Sequence, residues 1–249
     1  MIKVGLVGYG VIGQALGKWI KENNNHSCIE LLISDPFKGY NDDVSKADVI
    51  FISVHIPTEK NGTQNLKLLK EIINNLPEQK PIFVRTTILP GTTDWLCRET
   101  KRQVHFMPEF LTERTAYADF CEQPMVFTAE TELLRQIFVG KKYIEMTSLE
   151  AEIAKYAHNV FGALKVTYFN GIYALCQKMG ANYPKVQQGV LLSGYINAQH
   201  TMVPGPDGKT GFGGKCFPKD VSAFDHFNQN SALGALLNAM LQANEEYRK

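Results

Sequence analysis

Lys3-Val4-Gly5-Leu6-Val7-Gly8-Tyr9-Gly10-Val11-Ile12-Gly13-Gln14-Ala15 runs from an apolar stretch through a glycine turn into a helical pattern. Gly8, Gly10 and Gly13 fall in G-x-G-x-x-G spacing, and Leu16, Trp19 and Ile20 continue with helical period. Gly8 permits a tight turn, Gly10 lets a pyrophosphate come close, and Gly13 lets helix and strand pack. The backbone from Gly8 to Gly13, with Tyr9, Val11 and Ile12, then forms a helix N-terminus suited to phosphate. A second apolar run, Ile29–Ile33, leads to Asp35, 22 residues beyond Gly13. A carboxylate there bonds ribose hydroxyls and repels a 2′-phosphate, which favours NAD over NADP. Glycine turns are common, and Asp35 also reads as a turn residue ahead of Pro36. Strand, turn, helix and strand in this order nevertheless decide the class: α/β, with a Rossmann-type, doubly wound parallel sheet.

Short apolar runs alternate with helical patterns as far as about residue 145, as parallel strands joined by crossovers do. The strands expected are Lys3–Val7, Glu30–Ser34, Val49–Val54, Pro81–Thr86, Val104–Met107, Met125–Thr128 and Lys142–Met146, with a helix over Leu66–Asn75. At Thr147-Ser148-Leu149-Glu150, a capping box, the pattern changes. An unbroken helix is predicted from Ser148 to Met179, stopped by Gly180. Its roughly 32 residues at about 1.5 Å each span about 48 Å, long enough to cross between two domains. The expected division is an NAD-binding domain over 1–147 and, over 148–249, the central helix with a small all-helical dimerisation and catalytic domain. Further helices are expected at Tyr183–Ser193, Val221–Asn228 and Ser231–Tyr247, with a Gly/Pro-rich loop over 199–215.

A net charge of +1 gives no electrostatic case for nucleic acid or a membrane surface. The five cysteines are an odd number without C-x-x-C spacing, so neither a disulfide framework nor a zinc site is indicated. The six histidines show no metal-binding spacing, and no metal is expected. No run of 18 apolar residues occurs, and the first twenty residues carry the phosphate loop rather than a cleavable signal. A cytoplasmic protein is the expectation.

Near the other end stands Gly211-Phe212-Gly213-Gly214-Lys215-Cys216-Phe217-Pro218-Lys219-Asp220. Pro218 suits the first turn of a helix. Cys216 would then sit at that helix's N-terminus, where the dipole favours a thiolate nucleophile. Its plainer reading is a small residue in a glycine-rich turn.

With both ends in view, the sequence resembles the UDP-glucose/GDP-mannose (nucleotide-sugar) dehydrogenase family over nearly its whole length. The Gly211–Asp220 stretch is similar to the family's cysteine motif. Ser53-Val54-His55-Ile56-Pro57-Thr58 and Val84-Arg85-Thr86-Thr87-Ile88-Leu89-Pro90-Gly91-Thr92-Thr93 resemble its cofactor-lining segments. Pro108-Glu109-Phe110-Leu111-Thr112-Glu113 and Glu152-Ile153-Ala154-Lys155-Tyr156-Ala157-His158-Asn159 resemble its Pro-Glu-Phe-Leu-x-Glu and central-helix signatures. Five such segments in family order carry the resemblance.

The resemblance implies an NAD-dependent four-electron oxidation of a UDP-glucose-like primary alcohol to the uronate, a 6-dehydrogenase activity. Cys216 would form a thiohemiacetal and then a thioester, since an aldehyde yields a second hydride only after a nucleophile has added. Lys155 and Asn159, four apart on one helix face, would both donate to a substrate oxygen that carries negative charge in the hydride-transfer step. Asp220 would orient a water or tune Lys155, and Glu109 would be a general base for water. Thr87 would stand beside nicotinamide and substrate, while Val54, Pro57 and Thr58 line the cofactor. Glu113, Phe110, Leu111, Phe212 and Gly213 would contact the sugar, Lys209 would hold phosphate, and Lys215 would favour the Cys216 thiolate or hold a phosphate. Taken singly, Lys155 also reads as a solvated helix lysine, Asp220 as a first-turn carboxylate, Glu109 and Glu113 as a loop pair, and Lys209 as a surface lysine.

The sequence departs from the family in three places. Members continue into a third, nucleotide-binding domain, whereas this sequence stops at Lys249; the stretch from Asp35 to Val49 is short; and Lys215 replaces a small residue. A homodimer through the central helix is expected, as in the family. Two other readings stand beside this one: a two-electron β-hydroxyacid-type dehydrogenase, and a catalytically silent NAD-binding remnant.

Overall fold

In the computed structural model, which describes residues 1–24, 28–129 and 132–249, β1 (Ile2–Val7) enters the glycine turn and α1 (Val11–Asn23) leaves it. There follow β2 (Ile29–Asp35), a two-residue β3 (Tyr40–Asn41), β4 (Val49–Ile52), α2 (Lys67–Asn74), β5 (Ile82–Val84), α3 (Thr92–Thr100) and β6 (Val104–Phe106). These six strands form one sheet in the order β3-β2-β1-β4-β5-β6. Every pairing is parallel except that of β3 with β2. The chain steps from β1 to β2 and then resumes on the other side of β1 at β4. Doubly wound sheets bind ligands at the C-terminal end of such a switch point, and Gly8 lies there.

Side-chain alternation explains the unbroken apolar runs of these strands. Val49, Phe51 and Phe83 face a core built with Leu16, Trp19 and Ile20 of α1. Ile50, Ile52, Ile82 and Val84 face the other side, against Leu69 and Ile73 of α2 and Leu96 of α3. A parallel sheet covered on both faces needs both sets apolar. Beyond it come α4 (Ala116–Glu122), β7 (Met125–Phe127), α5 (Glu132–Ile137) and β8 (Tyr143–Glu145). β7 and β8 pair in parallel as a separate two-stranded sheet, so these two runs do not extend the main one.

The long helix α6 spans Ser148–Met179, the range its pattern predicts. Its capping box is formed: Thr147 N donates to Glu150 Oε2 at 2.7 Å and Glu150 N to Thr147 Oγ1 at 3.2 Å. One turn in, the buried Glu152 accepts from Gly91 N at 2.7 Å and Thr93 N at 2.8 Å. It thereby satisfies open donors at the start of α3. After α6 come α7 (Tyr183–Leu191), α8 (Phe217–Phe227) and α9 (Ala232–Tyr247). Two compact units result, residues 1–57 with 64–155, and residues 58–63 with 156–249. The two units part within α6, and the short 58–63 segment goes with the helical unit. In that unit Tyr156 stacks on Phe224 with ring centroids 4.8 Å apart, and Phe169, Cys176 and Tyr183 form a core.

Candidate active site

At the glycine turn the structure supplies the shape a dinucleotide needs. Gly8 takes φ +85°, and a Cβ there would lie 2.9 Å from the backbone of Ser53. Only glycine accommodates both demands. A Cβ on Gly13 would lie 2.2 Å from the Gly8 carbonyl oxygen, whereas one on Gly10 would project into open space. Gly10 is also the N-cap of α1, with no side-chain cap and no acidic residue in the first turn. The amide end of this 13-residue helix is thus offered to an anion through an open glycine face. Asp35 Oδ2 accepts from Tyr9 N at 2.8 Å, which fixes the carboxylate beside the turn, and Lys38 Nζ donates to the Tyr9 carbonyl at 2.9 Å.

The neighbouring strand exits are tied to one another. The Val54 carbonyl accepts from Thr86 Oγ1 at 2.5 Å, and the buried Thr87 accepts at its carbonyl from Gln64 Nε2 at 3.1 Å. The Pro57 carbonyl accepts from Asn65 N at 3.0 Å. Thr58, grouped with these in the sequence, belongs to the 58–63 segment of the helical unit.

A second cluster forms where β6 leads into Pro108-Glu109-Phe110-Leu111. Lys155, only 3% exposed, donates through Nζ to Glu109 Oε1 at 3.0 Å and to the Glu109 carbonyl. Glu109 Oε2 accepts from Leu111 N at 2.7 Å, and the Phe110 ring centroid lies 5.4 Å from the ammonium. Lys155 is therefore no solvated helix lysine, and Glu109 no solvated loop residue. A buried ion pair survives only with good geometry and further hydrogen bonds, both of which this one has. Glu113 is exposed.

The third cluster lies in the helical unit. Cys216 is the N-cap residue of α8 and is exposed, with Phe217 and Pro218 opening the helix. Asp220, one turn on, is fully buried; Oδ2 accepts from Asn159 Nδ2 at 2.7 Å and Oδ1 from Lys219 Nζ. Ahead of the cysteine, Gly211 takes φ +73° and donates from its N to Asn170 Oδ1 at 2.8 Å. Phe212 N donates to Asn244 Oδ1 at 2.6 Å, and Asn244 Nδ2 returns a bond to the Phe212 carbonyl at 3.1 Å. A Cβ on Gly213 would meet Arg248 Nη2 at 2.4 Å. The glycine stretch is thus a strap held by α6 and α9, and Lys209 and Lys215 are exposed on it.

Lys155 and Asn159 lie one turn apart on α6, but each serves its own carboxylate, Glu109 and Asp220 respectively. Sequence reasoning assigns no role to Lys219 and misses Asn170, Asn244, Arg248 and the capping role of Glu152. One signal for Asn170 was present: it stands three turns after Asn159 on the same helix. Among the described residues no group of three or more His, Cys, Asp or Glu side chains is placed to hold a metal ion. None of the described helices is long and apolar enough to cross a membrane.

Residues 32–138 match the model of the UDP-glucose/GDP-mannose dehydrogenase family, NAD binding domain, and residues 149–246 match that family's central domain. The chain belongs to this family. It is 30% identical over 227 residues to a UDP-glucose 6-dehydrogenase of Rickettsia felis, an alignment covering 83% of this chain and 50% of the relative. It is 31% identical over 228 residues to a GDP-mannose 6-dehydrogenase of Pseudomonas aeruginosa, covering 81% and 51%. Its fold is similar to the solved structure of a UDP-glucose dehydrogenase from Pyrobaculum islandicum, with TM-score 0.80 and 25% identity over 99% of this chain and 68% of that one. The chain spans about half the length of the curated relatives it matches. Family membership and the geometry of the glycine turn agree on the cofactor: the first unit is an NAD-binding domain.

Proposed function

We propose that this protein carries out the NAD-dependent four-electron oxidation of a nucleotide-sugar primary alcohol, UDP-glucose-like, to the uronate. The observation that carries this reading is Cys216 at the N-cap of α8, with the buried Asp220 one turn behind it, bonded to Asn159. A two-electron alcohol oxidation has no use for a nucleophile, whereas oxidising an aldehyde does.

NAD, when bound, supplies the hydride acceptor. In the first step the alcohol oxygen loses its proton and its carbon a hydride, giving the aldehyde, while Asn159 and Lys155 donate hydrogen bonds to the oxygen that carries the negative charge. The Cys216 sulfur, as thiolate, adds to the aldehyde carbon, and the carbonyl oxygen takes a proton to give the thiohemiacetal. A second hydride leaves that carbon and a proton leaves the oxygen, giving a thioester. Water then adds while Glu109 accepts its proton, the C–S bond breaks, and the thiolate returns. Thr87 borders the reacting carbon. Phe110, Leu111, Glu113, Phe212 and Gly213 receive the sugar, and Lys209 and Lys215 hold its phosphates. The working particle is a homodimer through α6, in the cytoplasm.

The test is NADH yield with a panel of nucleotide sugars: two per sugar for this reading, one for a β-hydroxyacid-type reaction, none for a silent remnant. Cys216→Ser should abolish net turnover while NAD still binds, because the cofactor turn lies in the other unit. Full activity in the serine variant would sink the four-electron mechanism.

A further inference from the structure

Arg85 directly follows β5 and is 1% exposed, the largest fully buried side chain among the described residues. Its Nε and Nη1 are buried and meet no hydrogen-bond acceptor among those residues. The guanidinium carbon stands 5.4 Å from the ring centroid of Phe120. The residue lines a cavity of about 20 Å³ together with Glu109, Phe110, Phe120, Gln123 and Met125. Burial pulls Arg85 down to about 10, opposed by the charge of Glu109, so the side chain is still a cation at neutral pH.

Buried donors are almost always satisfied, and buried charges are the most costly to leave without partners. The missing acceptor must therefore come from solvent. A water needs roughly 10–15 Å³ and two to four polar partners, and this cavity has room for one. A small anion would add a second negative charge beside the Glu109 carboxylate, so a neutral molecule fits better. Each Glu109 carboxylate oxygen already takes one donor, Lys155 Nζ or Leu111 N, and each can accept a second.

We propose that Arg85 holds one ordered water in this cavity, bridging Nε and Nη1 to the Glu109 loop, and so acts as a positioning residue for the Glu109 carboxylate. Lys155 fixes the carboxylate from the α6 side, and the Arg85-bound water fixes it from the β5 side. The consequence for turnover rests on the function proposed above; the water site does not.

A crystal structure of the full chain that resolves buried waters should place one within about 3.2 Å of Nε or Nη1 and within hydrogen-bond reach of the Glu109 carboxylate. A dry cavity, or a chloride there identified by anomalous scattering, would overturn the site. For positioning, Arg85→Lys keeps the charge but loses the guanidinium fork. With UDP-glucose as probe, the lysine variant should lose about tenfold or more in kcat, with the Michaelis constants for sugar and NAD within about twofold. Substrate should accumulate as a covalent adduct on Cys216. Unchanged kcat, or kcat and Michaelis constants shifting together with lost thermal stability, overturns the positioning role. If the wild-type protein oxidises no nucleotide sugar, the functional reading fails while the crystallographic test still decides the water site.

Discussion

Asn159 Nδ2 stands 2.7 Å from Asp220 Oδ2, and both side chains are buried. The bond joins the middle of α6 to the first turn of α8, and so fixes the turn that begins at Cys216. With Lys219 on its other oxygen, Asp220 is a buried carboxylate served by two side-chain donors. Asn159→Ala removes one of them and should cost about 1.5–3 kcal/mol of unfolding free energy, as loss of a hydrogen bond to a charged group does. Urea denaturation reads this directly. An unchanged midpoint would mean that water replaces the amide.

Asp35→Ala should weaken NAD binding by roughly tenfold or more, the worth of one charge-assisted hydrogen bond. It should also narrow the preference over NADP. Lys38, bonded to the Tyr9 carbonyl, would stay near the turn as a cation once the carboxylate is gone. Fluorescence titration with both reduced cofactors measures the two affinities. Equal affinity for NADPH and NADH in the wild-type protein would contradict the ribose role of Asp35.

The long helix should pair two copies of the chain. Phe161, Tyr168 and Leu175 recur every seven residues on α6 and are 65%, 60% and 53% exposed. Tyr168 and Leu175 also border a groove of about 410 Å³ with Ile172, Met179, Val190 and Ile196. An apolar stripe of this kind usually marks an interface, and two-fold pairing is the commonest closure. Sedimentation should show a dimer at micromolar concentration, shifted to monomer by Tyr168→Glu with Leu175→Glu. A wild-type monomer at that concentration would refute the pairing.

Stability should fall on mild acidification. Burial lowers the pKa of His105, which stacks on Phe83 at 5.2 Å. The unfolded chain, with histidine near 6.5, then binds more protons than the folded one. Its contribution is fully present above about pH 6.5 and is lost as pH falls through the lower folded value. The urea midpoint should be flat from about pH 7 to 8 and decline below about 6.5. His105→Phe should make that decline shallower. An equal slope in the variant would place the effect elsewhere, with His200, lowered by burial and then by Lys165 and His158, the next residue to replace.

Local signals were enough for the elements that decide the class. The apolar run, glycine turn and helix at residues 3–20 depend on residues only a few positions apart. So does α6, whose capping box and helical period mark both ends. The cysteine at a helix start is legible for the same reason, since Pro218 announces the helix. Short elements were not legible: β3, α3, α4 and α5 run for two to nine residues, too few for a period to stand out. Nor does alternation distinguish a strand of the main sheet from the separate β7–β8 pair, because both are apolar runs.

By itself, then, the sequence determined the α/β class, the cofactor turn, the extent of α6 and the identity of the chemical groups. Tertiary structure alone decided which of those groups meet. Lys155 reaches Glu109 across 46 residues of chain, and Asn159 reaches Asp220 across 61. Arg85 becomes a buried cation, with two donors that meet no acceptor among the described residues, only because the Glu109 loop and Phe120 close over it. Pairings at such separations follow from the path of the backbone and from the exclusion of water. Neither is written in the spacing of neighbouring residues.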